Sequence, residues 1–297
     1  SMDTKVFHYF TELARVKNYS RAAKTLYISP QGLSSSIKRL EGQLGVSLIE
    51  ADGKGVRLTE YGEIFRKYAQ DLSMEIDGME REIDDLRRHN SGSLKFAVSI
   101  GLFNVFPRAA IDDFNESADA TAHIESVKTM LDDDCEQSLL DKTSDFALLN
   151  DPIDHSVFSS IPLHKDMMFL WMKKDDELAA KNFLTMDDLM GKTISCLASR
   201  EFKTSRGIES ILAKPPYNCT ILHTDEVVET LEVAMQRRAY ALTVRTHAQA
   251  FRHEGYLGIP VRDITWGFGV AWRTDRVLSP QDEEFLSFLK GYQRFYC

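Results

Sequence analysis

Gln31, Ser34, Ser35 and Lys38 recur at the spacing of one helical face, and their chemistry is that of reading rather than of breaking bonds. An amide, two hydroxyls and an ammonium offer donors and acceptors to base edges in a DNA major groove. Arg21 and Lys24 lie just upstream, and Lys54 and Arg57 follow on a glycine-bearing turn and strand. Such cations suit phosphates, where they add affinity and little sequence information. Catalytic chemistry has no comparable set of residues. There is no Gly-x-Ser-x-Gly elbow, no phosphate loop and no His-Glu-x-x-His helix. The eight histidines lack metal-ligand spacing. The expectation is therefore a protein that is not an enzyme, with no metal and no cofactor. Gly267-Phe268-Gly269 falls in a predicted strand, so it reads as a bulge or tight packing rather than a nucleotide site. Asp132-Asp133-Asp134 reads as a solvated helix start, favourable against the helix dipole.

The reading residues need a helix to hold them. Ser29 is placed to cap it and Pro30 to take its first position, where a missing N–H costs nothing. Leu33, Ile37, Leu40 and Leu44 supply the apolar stripe on its other face. A shorter helix over residues 21–26 precedes it, capped by Ser20, with Ala22, Ala23 and Leu26 as a small face that permits close crossing. Val6, Phe7, Phe10, Leu13 and Ala14 make a first helix, and Asn18 sits in the turn that ends it. Residues 46–58 read as strand, turn at Asp52-Gly53-Lys54-Gly55, and strand, which completes a winged helix-turn-helix. The net charge of −9 is divided unevenly along the chain. Up to Leu58 nine Lys and Arg stand against five Asp and Glu, leaving +4, so the acidic excess belongs to the remainder. A basic head on an acidic body fits a protein that meets nucleic acid at one end.

After the wing, Ile64, Tyr68, Leu72, Ile76, Met79, Ile83 and Leu86 recur at gaps of four and three along a helix predicted over residues 60–88. These gaps make a coiled-coil-like seam, read here as a dimerisation helix. Asn90-Ser91-Gly92-Ser93 breaks it. Strands and helices then alternate, which implies parallel sheet with crossover helices. Strands are predicted over 94–100, 120–127, 146–149, 167–172, 193–197, 218–223, 241–244 and 264–272, and helices over 104–116, 131–140, 205–212 and 226–237. A short helix opens at Thr185-x-x-Asp188, and a last one is capped by Ser279 with Pro280 at its first position.

The series Ser20-Arg21-Ala22-Ala23, Leu26, Ile28-Ser29, Leu33-Ser34, Ile37, Leu40-Glu41, Leu44-Gly45-Val46, Leu48, Leu58-Thr59 and Gly62 resembles the N-terminal domain of LysR-type transcriptional regulators. The chain departs from that pattern at Pro30-Gln31, Gly32, Ser35 and Ala51, where the family usually has Gln-Pro, Ala and two Arg, so its reading face is poorer in cations. Further on, Phe106-Pro107, Asp145-Phe146-Ala147, Asp188-Leu189, Gly191-Lys192 and Leu278-Ser279-Pro280 are similar to the family's effector domain. Arg238 and Tyr240 stand where the family commonly has a Gly-x-Gly turn. The resemblance implies a DNA-binding domain over residues 2–59, a linker helix over 60–90, and a two-lobed α/β effector-binding domain over 91–297 like periplasmic binding proteins. Lobe I would hold residues 91–162 and 267–297, and lobe II residues 163–266, with the chain crossing between them twice. It further implies operator DNA as a partner, a homodimer and a dimer of dimers.

Parallel sheets take ligands at the carboxyl ends of their strands, near helix starts. The candidate effector residues are accordingly Ser99, Gly101, Leu102, Phe103, Lys128, Thr129, Arg200, Phe202 and Thr224, in the region where the family's effector site falls. Hydroxyls beside Lys128 and Arg200 suit a small organic anion, and the leucine and phenylalanines its apolar body. Two other classes are a cytoplasmic small-molecule-binding module and a small-molecule transferase. The lack of an export signal counts against a solute-binding protein, and the lack of a nucleophile or base cluster against a transferase. Ser1 before Met2 reads as a residue left by tag cleavage, and no leader or bilayer-length apolar run follows, so a cytoplasmic location is expected. Cys135, Cys196, Cys219 and Cys297 are widely spaced and read as structural thiols, a sensing disulfide between Cys196 and Cys219 being the alternative.

Overall fold

A computed structural model describes residues 3–117, 120–197, 200–251 and 253–292. Ser1, Met2 and Cys297, all noted above, lie outside them. The chain forms two compact units, Ser1–Asp84 and Asp85–Cys297.

In the first unit α1 (Lys5–Val16), α2 (Tyr19–Thr25) and α3 (Pro30–Leu44) close on Phe10, Leu13, Ala22, Ala23, Leu33, Ile37 and Leu40. α3 starts as its residues dictate, with Ser29 Oγ accepting the Gly32 N–H at 3.0 Å and Pro30 in the first position. α2 starts two residues earlier than expected. Its cap is Asn18, whose side chain accepts the Arg21 N–H at 3.0 Å, and Ser20 is inside the helix. Leu44 is 40% exposed rather than core, because α3 ends there and Gly45 turns the chain away with φ 72°. The hairpin β1 (Ile49–Asp52) and β2 (Gly55–Leu58) pairs Ile49 with Leu58 and Asp52 with Gly55. Glu41 of α3 ties it down by accepting the N–H groups of Leu48 and Ile49 at 2.7 and 3.1 Å. A Cβ at Gly62 would lie 2.1 Å from the Leu48 carbonyl oxygen, so that close approach requires glycine.

α4 (Glu60–Ser91) is 32 residues long, about 48 Å at 1.5 Å per residue. Asn90 and Ser91 are still helical, and the stop comes at Gly92 with φ 72°. Along it Ile64, Tyr68, Leu72, Met79, Ile83 and Leu86 are exposed and Ile76 half-buried, whereas Phe65 packs edge-on against Phe10 at 4.8 Å.

The second unit is built on one eight-stranded sheet. Its elements are β3 (Ser93–Ser99), α5 (Ala109–Asn115), β4 (His123–Met130), α6 (Asp132–Leu140), β5 (Phe146–Asn150), β6 (Phe158–Lys173), β7 (Thr193–Leu197), α7 (Lys203–Leu212), β8 (Thr220–Thr224), α8 (Val227–Arg237), β9 (Tyr240–Val244), α9 (Arg245–Ala250), β10 (Tyr256–Arg273) and α10 (Pro280–Gly291). β3 pairs in parallel with β4 and β5, and β7 in parallel with β8 and β9, which makes two lobes. β6 and β10 run antiparallel to each other between them; β10 also pairs with β5 and β6 with β9. These two strands are the crossings, and they are longer than the stretches 167–172 and 264–272 that the apolar pattern marks. Their first halves mix exposed, half-buried and buried positions, so periodicity there is weak.

Three other elements differ from expectation. β4 begins at His123, the helix expected over 104–116 is a short 3-10 turn at Leu102–Asn104 followed by α5, with Pro107 between, and α9 is unforeseen. Gly267 and Gly269 lie in β10 beside a register shift between Phe268 and Gly269. A Cβ on either would come within 2.6 Å of Asp151 Oδ2 or the Ile161 carbonyl, so the pair marks close strand packing. Arg238 takes φ 52° and ψ 40° after α8, keeping in a non-glycine residue the left-handed turn that glycine usually makes. The Tyr240 hydroxyl donates to Asp176 at 2.7 Å.

A buried ionic cluster closes one lobe. Arg88, at 0% exposure on the last turns of α4, donates through Nε to Asp145 at 2.9 Å, and Arg276 bridges Asp145 at 3.0 Å and Asp282 at 2.9 Å. Asp145 also accepts the Lys95 N–H at 2.7 Å, so its carboxylate is held from three sides.

Candidate functional site

On the first unit, Gln31, Ser35 and Lys38 are exposed on α3 with Ser34 half-buried, and with Tyr19 and Pro30 they border a shallow concavity. Arg21 and Lys24 are exposed on α2, and Lys54 is exposed in the hairpin turn. Ser29 and Pro30 are builders: the hydroxyl is spent on the helix cap and the proline offers no donor. Arg57 bonds Glu50 directly across the hairpin at 2.8 Å. Both side chains are largely exposed, and such pairs contribute little, so the guanidinium stays available to a competing phosphate. Two tyrosines escaped the reading of the sequence. Tyr19 borders the concavity, and Tyr27 is 95% exposed with φ 54° in the turn between α2 and α3.

On the second unit, a cavity of about 770 Å³ opens between the lobes at the carboxyl ends of the strands. Gly101, Leu102, Phe103, Thr129 and Phe202 line it as expected. Ser99, Lys128, Arg200 and Thr224 do not. Ser99 lies behind the wall at 2% exposure, where its Oγ accepts from Asn150 Nδ2 at 3.2 Å. Thr224 is likewise buried and donates to the Cys196 carbonyl at 3.2 Å. Lys128 is exposed on the face of β4 opposite to that of Thr129, as successive strand residues must be. Arg200 is exposed in the loop after β7. The two counter-charges expected for an organic anion are therefore absent from the wall. Among the described residues no Lys or Arg lines the cavity; its charged side chains are Asp132, Asp225 and Glu226.

Asp132 corrects a further expectation. Only Asp133 and Asp134 of the acidic run are solvated; Asp132 is 2% exposed, and its oxygens accept from the Asn150 N–H at 3.2 Å and amide at 3.3 Å. His247, also in the wall, is held below the ordinary histidine range by desolvation, which favours the neutral imidazole. Asn150, Asp132, His247 and Trp266 were not among the expected lining residues, yet the carboxyl-end rule points at Asn150 once β5 is recognised as an inner strand.

The thiols of Cys135, Cys196 and Cys219 are buried. Desolvation pushes Cys135 and Cys196 up to about 12, far from thiolate chemistry. Cys196 lies opposite His223 in the β7–β8 register, which puts Cys219 about 13 Å along the neighbouring strand, beyond disulfide reach. Both are free thiols, so the sensing disulfide is not formed. Among the described residues no group of His, Cys, Asp and Glu is arranged to hold a metal, and no helix is long and apolar enough to cross a membrane.

Comparison with known proteins matches both units. The family described as bacterial regulatory helix-turn-helix protein, lysR family, matches residues 4–63, and the LysR substrate binding domain matches residues 87–294. The helix-turn-helix transcriptional regulator YybE of Bacillus subtilis is 24% identical over 294 residues, covering 97% of this chain and 98% of its own. The crystal structure of CbnR, a LysR family transcriptional regulator, superposes with a TM-score of 0.60 at 18% identity over 97% of this chain and 98% of that one. Full-length CbnR complexed with its target DNA gives 0.51 at 18% identity, over 97% and 99%.

Proposed function

From membership of the LysR family of DNA-binding transcriptional regulators, to which this chain belongs with its substrate-binding domain, we propose how the work is divided among its residues. Gln31, Ser34, Ser35 and Lys38 read base edges in a major groove, while Arg21, Lys24, Lys54 and Arg57 meet the phosphates. One observation carries this reading: the four polar side chains, three exposed and Ser34 half-buried, lie on the outer face of a helix whose other face is the core of the basic head over residues 1–58. CbnR, which has the same fold, is complexed with DNA in one of its structures, and this supports the assignment.

The exposed seam on α4 pairs two chains, so that two heads bind two half-sites, and a dimer of dimers is the larger assembly in keeping with the family. The cavity of the second unit takes the small-molecule effector. A ligand that binds two arrangements of the lobes unequally shifts their populations, and by linkage the factor by which it changes operator affinity equals the factor by which the operator changes ligand affinity. A coupling of about 1–3 kcal/mol changes that affinity roughly five- to 150-fold. An organic anion would find neither Lys128 nor Arg200 at the wall.

The test is selection of bound fragments from a random DNA pool by the purified full-length protein. A recurrent site with two related halves is expected; a pool that shows no enrichment after repeated rounds contradicts the reading.

A further inference from the structure

The cavity is defined as much by its charge as by its shape. Asp132 is a carboxylate at 2% exposure, and among the described residues no cation pairs with it. Its partner is Asn150, whose amide is shared between Asp132 and the Ser99 hydroxyl. A carboxylate removed from water is costly unless a cation or a full set of donors compensates it. The same contacts engage the Asn150 backbone N–H and amide, donors that an external carboxylate would need, with an internal one.

The helix starts around the cavity repeat the pattern. α6 carries Asp132, Asp133 and Asp134 in its first turn, and α8 is preceded by Asp225 and Glu226 and carries Glu229 in its own. Acids there neutralise the positive helix ends that would otherwise attract an anion. α7 has no acid in its first turn, but its Lys203 is held by Glu136 and the Pro152 carbonyl, and Arg206 by Asp133. Arg245, on α9, is committed to Asp166 at 2.8 and 2.9 Å.

The remainder of the wall is apolar and aromatic. Phe103 comes from one lobe, Phe202 and Phe251 from the other, and Trp266 from a crossing strand. Aromatic faces attract cations as well as apolar carbon. The indole N–H of Trp266, a residue at 6% exposure, finds no acceptor among the described residues, which leaves one donor unmet in the wall.

We propose that this cavity selects an apolar, aromatic-sized molecule bearing an ammonium group and disfavours organic anions, with Asp132 as the principal counter-charge and Asp225 and Glu226 as a negative rim. This rests on the reading of the cavity as the effector site. The ammonium bonds the free acceptor positions of Asp132, and the apolar body lies against the phenylalanines and Trp266.

Three probes of nearly equal size separate the charge states: phenethylamine, phenethyl alcohol and phenylacetate. Each is titrated into the full-length protein, followed by tryptophan fluorescence and by thermal shift, for the wild type and Asp132→Asn. Because a charge-assisted hydrogen bond contributes about 1.5–3 kcal/mol, the amine is expected to bind roughly ten- to a hundredfold more tightly than phenylacetate. Asp132→Asn narrows that preference by about tenfold or more. Should that variant fold poorly, Asp225→Asn with Glu226→Gln, both at exposed positions, is expected to narrow it several-fold. Phenylacetate binding as tightly as the amine overturns the charge assignment and leaves the cavity as a ligand site. A preference for the amine that survives both variants overturns the role of these carboxylates. No response to any of the three overturns the inference and the effector reading of the cavity together, while DNA selection still stands as its own test.

Discussion

The polar face of α3 and the cavity of the second unit are built in opposite ways. The first is contiguous: Gln31 to Lys38 lie within three turns of one exposed helix, ringed by cations. The second gathers residues from Ile100 to Trp266, is mostly apolar, and is charged only by acids among the described residues. A surface that must meet a polyanion can be written in one short stretch, because solvent exposure leaves it free of packing constraints. A cavity that must exclude water is written in pieces on separate strands, and its charge is set by which pieces the topology brings together.

The comparison breaks most severely if pairing is removed. Leu72→Glu with Ile83→Glu puts charge on the seam, and single heads lose the effective concentration of a linked second head, so operator affinity falls about 10²- to 10⁴-fold. Sedimentation equilibrium of the double variant checks this, and an unchanged mass contradicts it. Arg88→Met acts on the second unit alone. It leaves Asp145 buried without one of its cations, an imbalance that costs about 3–5 kcal/mol. Denaturant unfolding followed by the tryptophans, all of which lie in the second unit, should show the loss.

Acid gives a smaller effect, again on the cavity side. Burial holds His164 and His247 below the ordinary histidine value of 6.5. Between the folded and unfolded values the unfolded chain binds more protons, so stability falls as pH drops through and below the ordinary histidine range. The melting temperature of the second unit should decline from about pH 7 to about pH 5.5, and a flat profile contradicts the burial of these rings.

The same contrast explains what was legible beforehand. The Ser29–Pro30 start of α3, the Ser279–Pro280 start of α10 and the Thr185–Asp188 capping box are local signals, and each is where its residues place it. Asn18 and Ser20 are both cap residues by type, and the cap falls to Asn18, which has extended backbone and accepts the Arg21 N–H, so that Ser20 is already helical. The two lobes were legible from alternating strand and helix. The long β6 and β10 were not, because their outer halves are partly exposed and lose the buried-strand pattern. At the cavity, Gly101, Leu102, Phe103, Thr129 and Phe202 followed from the carboxyl-end rule. Lys128 failed through strand alternation, one residue from a lining threonine, and Asp132 was misjudged because an acidic run at a helix start gives no sign of which member turns inward.

The central claim is that α3 reads sequence while the wing supplies affinity. Selection of bound DNA with the wild type, Gln31→Ala and Lys54→Ala, repeated at two salt concentrations, tests it most directly. Gln31→Ala should relax the preference at one position of each half-site, at about 1–3 kcal/mol. Lys54→Ala should weaken all sequences alike and lower the salt slope by about one per head. Identical specificity profiles for the two variants would contradict the account.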